Sequence, residues 1–267
     1  MTLASPFQFL ALDTATSWQT VALLRDDQVL AQIEQNAEGS HARSLMPAIH
    51  RILKGAGLSL RDLQGVALSI GPGSFTGLRV GLATLLGFRA VLGVPIVPVP
   101  TLEAMAWNLR QSPGRLIPVI KSRRNEVYWA AYEWSSGGRL RTCIAEQVGS
   151  PASVVRAVEQ GRVCTVFGDG WLAYEQDIRE AWGQAGVCNG PCAPEVHRPS
   201  AVSVALAARE RLLAGQIADS TVAPRYVQRT EAEVMFDALQ EQSPLERRRQ
   251  RIARKLGAGK GGVGRTR

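Results

Sequence analysis

Three signals follow one another between residues 64 and 92, and together they leave one local solution. Residues 64–70 are a short, largely apolar run, which reads as a buried strand. A glycine-rich stretch follows, Gly71-Pro72-Gly73-Ser74-Phe75-Thr76-Gly77-Leu78-Arg79-Val80-Gly81. Residues 75–92 then form an apolar segment too long for a strand and of ordinary helix length. Leu78, Val80, Leu82, Leu85, Leu86 and Val91 cover the whole circumference of that helix, so it must be covered on both sides. A sheet takes one side. The other needs a second helix of the same chain or a partner chain. Gly77, Gly81 and Thr84 form one stripe of small residues, and Ala83, Gly87 and Ala90 another; either permits close helix approach.

The flanking sequence extends this unit. Strands are expected at 9–13, 20–24 and 29–34, the last two joined by a turn at Arg25-Asp26-Asp27-Gln28. Leu45, Ile49, Ile52 and Leu53 make one apolar face of a helix between His41 and Ala56, with Pro47 in its first part and Gly55 and Gly57 ending it. A strand at 95–99 and a helix at 101–110 complete an order β-β-β-α-β-α-β-α, which implies a mixed sheet with helices packed on it. The order then starts again: strands at 116–120, 126–132 and 140–145, a helix at 151–160, a strand at 163–167, and helices at 172–181 and 200–213, with Ser200 as a cap. The expected fold is α/β: two subdomains, each a mixed β-sheet flanked by helices, facing each other across a cleft. Residues 1–107 form the first subdomain and 108–239 the second, whose last helix packs back on the first.

Charge marks a third region. The segment from Glu246 to Arg267 holds nine basic residues and one acid, which accounts for the whole formal net charge of +8. With Gly257, Gly259, Gly261, Gly262 and Gly264 it cannot build a core, so 240–267 is expected to be a disordered basic tail. Arg247, Arg248, Arg249 and Arg251 either bind nucleic-acid phosphates or form a solvated extension. No apolar run reaches the ~20 residues of a membrane helix, and the first ten residues lack the basic and apolar regions of a secretory signal. Four cysteines in 267 residues suit a reducing, cytoplasmic setting. Cys188 and Cys192, with His197 nearby, fall short of the four ligands of a structural zinc site and read as a loop with two thiols.

Two stretches carry chemistry. The glycine-rich turn follows a strand and opens a helix, so its N–H groups suit an anion, and Gly71, Gly73, Ser74, Thr76 and Gly77 are phosphate-loop candidates. It is neither a Walker loop nor a dinucleotide fingerprint. A tight turn with close helix packing explains the same glycines. Asp13 and Thr14, ending the first strand in Leu12-Asp13-Thr14-Ala15-Thr16, would face a cleft ligand or its Mg2+; an Asp capping a turn is the simpler reading. His41 and His50 are nine apart, about 900° of helix turn, and lie on opposite faces, so they cannot share a metal. No metal site is expected, and no Ser-His-Asp or G-x-S-x-G pattern is visible.

Taken together, LALDTAT at 10–16, Gly39-Ser40-His41, Leu45-Met46-Pro47, GPGSFTGLRVG at 71–81, Arg123, Glu126-Val127-Tyr128, Ala131-Tyr132, Pro224, Tyr226 and Arg229 resemble the TsaB (YeaZ) family. That family lies in the ASKHA superfamily of actin-like, RNase H-like folds. The resemblance spans residues 8–230 and implies a part in forming threonylcarbamoyladenosine at position 37 of tRNAs that read codons beginning with A. It implies a non-catalytic scaffold that pairs with the catalytic paralogue TsaD, is joined by the ATPase TsaE, meets tRNA through the complex, and pairs with itself when alone. It implies no cofactor requirement of the chain's own, with weak ATP or ADP and Mg2+ binding expected at the level of the complex. The first two helices would form the shared interface, for which Leu45, Ile49, Leu78, Gly81, Leu82 and Leu85 are the candidates. The family's usual Asp-Ala-Arg is Lys121-Ser122-Arg123 here, which puts any contact through that carboxylate in doubt. A nucleotide-binding phosphotransferase and a glycoprotease-like metallopeptidase are the competing readings.

Overall fold

The chain builds the same strand order twice. In the computed structural model, which describes residues 7–157, 163–183, 187–188, 193–216 and 222–225, the first sheet runs β3-β2-β1-β4-β5. It contains β1 (Gln8–Asp13), β2 (Trp18–Arg25), β3 (Gln28–Asn36), β4 (Gly65–Ser69) and β5 (Ile96–Val99). The second sheet runs β10-β9-β6-β7-β8, with β6 (Arg115–Lys121), β7 (Val127–Trp134), β8 (Leu140–Gly149), β9 (Val163–Phe167) and β10 (Val187–Cys188). In each, three antiparallel strands are followed by two parallel additions on the far side of the first strand. The two-residue turn Asp26-Asp27 joins β2 to β3, with Asp26 in the left-handed region at φ 53°.

Parallel additions need crossovers, and in the first sheet these are helices. α1 (His41–Gly55) links β3 to β4, and α2 (Phe75–Leu92) links β4 to β5. Both cover one face of the sheet. There Leu10, Leu12, Val21, Leu23, Val66 and Leu68 meet Leu45, Ile49, Ile52, Leu82, Leu85 and Phe88. The other face, with Phe9, Ala11, Ala22, Leu24, Ala67, Val97 and Val99, is covered by Ala201, Val204, Ala205 and Ala208 of α5 (Ala201–Leu213). Small alanines let α5 approach the strands closely. Each fully buried Leu or Val here contributes about 1.5–3 kcal/mol by leaving water.

The second sheet is covered on one face by α4 (Asp169–Trp182), through Trp171, Ile178 and Trp182 against Ile117, Val119, Trp129 and Val166. Leu102, Met105 and Ala106 of α3 (Thr101–Ala106) pack on its other face against Leu116, Ile120, Ala130, Tyr132 and Phe167. α3 and α5 touch, and Arg211 of α5 pairs with both carboxylate oxygens of Glu103 in α3.

Several expectations change. The helix expected at 151–160 is a 3-10 helix, Pro151–Ala157. Its tight bonding starts with Ser153 N donating to Ser150 O, and Ser153 Oγ accepts from Trp129 Nε1. Ser200 precedes α5 without a side-chain hydrogen bond to it, so the helix starts uncapped there. Pro47 lies inside α1 beyond its first turn. The two-residue β10 had no signal in the sequence. α2 does have the length and apolarity of a membrane span. Its two ends, however, enter adjacent parallel strands of one sheet, which lays it across that sheet. The 240–267 tail with Arg247, Arg248, Arg249 and Arg251, the side chain of Cys188, and Cys192, Tyr226 and Arg229 lie outside the described residues.

Candidate functional site

The glycine-rich turn and the Asp13–Thr16 loop, distant in sequence, meet at the carboxyl ends of β1 and β4 because those strands are parallel neighbours. Ser74 N donates to Ala15 O at 2.6 Å, and Thr14 Oγ1 donates to Gly77 O at 2.8 Å. Ser74 Oγ caps α2 by accepting from Gly77 N at 3.2 Å. Thr76 is exposed. At Gly77 a Cβ would drive into Thr14 O, so only glycine lets the first turn of α2 press on that backbone. Gly73 meets the Ala15 carbonyl in the same way, and Gly81 meets the Thr14 hydroxyl. Gly71, at φ 114°, is pinned between Thr101, whose Oγ1 accepts from Gly71 N at 3.1 Å, and the backbone of Arg225. The close approach these glycines allow is thus to other parts of the chain itself.

Asp13 is 1% exposed, and its Oδ1 accepts from Ala15 N at 2.9 Å. Oδ2 and the nearby Ser69 Oγ are both buried without a regular hydrogen bond. Burial pushes the Asp13 carboxyl up to about 6, while the Ser69 side chain and the Ala15 N–H pull it down. The turn-capping reading of Asp13 matches this geometry.

A cavity of about 650 Å3 opens between the two halves, lined among others by Thr16, Trp18, Lys121, Asp169, His197 and Arg198. Lys121 N donates to Asp169 Oδ1 at 2.9 Å. Burial raises the Asp169 carboxyl, partly offset by Lys121. His197 Nδ1 accepts from Gly168 N at 3.1 Å, which places the ring proton of the neutral form on Nε2. On α1, His41 is buried and His50 exposed, so the two rings point to opposite sides. No group of three or more His, Cys, Asp or Glu suited to a metal comes together among the described residues.

The expected interface residues are placed otherwise. Leu45, Ile49, Leu78, Gly81, Leu82 and Leu85 all point into the chain's own core, the five leucine and isoleucine side chains at most 7% exposed. The sheet claims their helix faces, α1 packing on β2 and β3 and α2 on β4 and β5. The outward face of α2 carries Thr76, Arg79, Ala83, Leu86, Gly87, Ala90 and Val91, with Val91 84% exposed. Phe75 opens this face, with the Arg79 guanidinium 3.7 Å from its ring centre. On α1, Met46 is 46% exposed beside Pro47 and His50. The small-residue stripe Ala83-Gly87-Ala90 is the signal that finds this surface, since the other stripe, Gly77 and Gly81, is spent on Thr14. α4 occupies the same place in the second sheet as α2 in the first. Its outward face is charged instead, with Arg179 paired to Glu175 and Gln176 bonded to Glu180.

Two mixed sheets of one strand order, each joined by crossovers, with the first turn of α2 held against the end of β1, define the two-subdomain, RNase H-like class of the actin-like ASKHA proteins. YeaZ from Pseudomonas aeruginosa superposes with a TM-score of 0.70 at 26% identity, covering 83% of this chain and 100% of that one. The family model of TsaD, tRNA N6-adenosine threonylcarbamoyltransferase, matches residues 28–180. The tRNA threonylcarbamoyladenosine biosynthesis protein TsaB of Bacillus subtilis is 31% identical over 197 residues, 72% of this chain and 83% of that protein. Its counterpart in Escherichia coli is 36% identical over 171 residues, 62% and 73% of the two chains. The chain belongs to the TsaB (YeaZ) family.

Proposed function

We propose that the chain is the scaffold subunit, without catalysis of its own, of the assembly that transfers threonylcarbamoyl to N6 of adenosine 37 in tRNAs reading codons that begin with A. It works by presenting the outward face of α2, together with α1, to the catalytic paralogue TsaD. The observation that carries this is the contrast between two topologically equivalent helices. The outward face of α4 is charged and solvated, whereas that of α2 is apolar and small, and exposed apolar surface marks an interaction site. A TsaD-type partner suits it because the TsaD family model matches this chain, so the partner should offer a related helix pair and pack two helices on two. In the absence of TsaD the same face pairs two copies of this chain. TsaE joins the pair, and tRNA is met through the complex.

A chemical role for the chain alone finds little support. His41 and His50 point to opposite sides of α1 and cannot grip one ion. The glycines of the phosphate-loop candidate are used in packing α2 on Thr14 and Ala15. The test is tRNA modification reconstituted with purified TsaD, TsaE and the threonylcarbamoyl donor, with and without this chain, alongside co-purification with TsaD. Modification should depend on both proteins, and they should co-purify. Modification by this chain without TsaD, or a failure to associate with TsaD, would overturn the reading. Calorimetry with Mg-ATP separates the phosphotransferase alternative, which needs tight binding and turnover by the isolated chain.

A further inference from the structure

The segment 222–225 is used in a way that neither the fold nor the proposed interface explains. It comes after α5, yet it returns to the glycine-rich turn. Val222 packs against the core beneath α1 and α2. Arg225 N donates to Ile70 O at 2.6 Å, at the last residue before the turn. Arg225 O lies against Gly71, where a Cβ would come within 2.5 Å of it. The backbone of this one residue therefore closes over both ends of the Ile70–Gly71 peptide. Its side chain reaches the other way, to the second sheet, where Nε lies 3.0 Å from Glu146 Oε2 on β8.

Glu146 is an unusual anchor. Its side chain is 5% exposed, and among the described residues neither carboxylate oxygen has a regular hydrogen bond, so Arg225 is its close charge partner there. Burial raises its carboxyl, Arg225 opposes this, and Glu103 and Arg211 act more weakly from α3 and α5. The Tyr132 hydroxyl on β7 is pushed up mainly by burial and secondarily by the same two carboxylates. Half-exposed Arg225 would lose little by turning to solvent; buried Glu146 would lose its compensation.

We propose that Val222–Arg225 is a strap that holds the glycine-rich turn, and with it the start of α2, in register with the second sheet, with Glu146 as its anchor and Arg225 as a positioning residue. The strap has two separable grips. The Arg225 N–H holds Ile70, and the Arg225 guanidinium holds Glu146. Its consequence for partner binding rests on the reading of α2 as the docking helix; the strap itself does not.

Amide hydrogen exchange of the full chain tests it. Arg225→Ala and Glu146→Gln should each speed exchange of the amides at 71–78 by about threefold or more, since local opening sets those rates. Arg225→Pro, which also removes the donor to Ile70, should speed them further, while exchange in β7 and β9 stays as in the parent. Affinity for purified TsaD, measured in parallel, should fall in the same order. Unchanged exchange at 71–78 in Arg225→Pro overturns the strap, whatever the affinity does. Faster exchange with unchanged affinity upholds the strap and counts against α2 as the docking helix. Glu146→Gln keeps the side-chain volume, so it remains informative should Arg225→Pro not fold.

Discussion

Asp13 shows what a single residue costs when its site is dry. In the folded chain its carboxyl titrates near 6, against 3.8 unfolded, so folding holds a proton that the unfolded chain gives up between those values. Stability from this group is therefore lost as pH rises through that window, and the full penalty, of order 3 kcal/mol, is present above it. Asp13→Asn keeps an acceptor for Ala15 N and removes the charge. Thermal or urea unfolding should find the variant more stable than the parent at pH 7.5, with the gap closing below pH 4. A gap that does not change with pH would mean that Asp13 does not titrate in this way. LALDTAT pointed to a strand end bearing a carboxylate, and the structure bears that out. What the sequence hid was the fate of the carboxylate. Whether it faces a ligand or the Ala15 amide depends on how closely Gly73 and Gly77 bring the next turn, as in the Thr14–Gly77 contact between residues 63 apart.

α2 was the most legible element, but Leu78, Leu82 and Leu85, expected at an interface, turn inward. Its bounds follow from the Ser74 cap and from Gly93, which ends the helix at φ 68°. Apolarity on every side showed that two surfaces must be covered, but periodicity could not say which leucines the sheet would take. Leu82, Leu85 and Phe88 went to the sheet, and Leu78 lies buried beside Gly71. Leu86 and Val91 were left outside with Ala83, Gly87 and Ala90. This makes neighbouring positions behave differently. Leu85→Glu buries an unpaired charge and should cost several kcal/mol or prevent folding, seen as a large loss of melting temperature. Val91→Glu and Leu86→Glu should leave melting within about 2 °C, yet weaken association with TsaD roughly tenfold or more in a binding titration. Equal affinity in both would move the interface elsewhere. The 3-10 helix at 151–157 departs from the α-helix expected there, and its Ser153 Oγ accepts from Trp129 Nε1.

At the scale of the molecule the repeated element order was readable without any repeated sequence, because alternating strands and helices carry topology even where side chains have diverged. The links between the halves were not readable, since they join positions far apart. Arg198, which follows the second sheet, stacks 3.6 Å from the Trp18 ring centre and pairs with Glu34 at 3.0 Å on the first. Arg198→Ala should lower stability by about 1 kcal/mol, or roughly 2–4 °C in a calorimetric scan; no shift would show that the stack carries no load. The two halves also differ in one respect with a wider consequence. Where the first sheet has α1 and α2 side by side, the second has a seven-residue 3-10 helix and the charged α4. Among the described residues the first sheet therefore carries an apolar outer flank where the second carries a charged one. If that flank is the proposed docking surface, the first partner to settle on it shields it from a second.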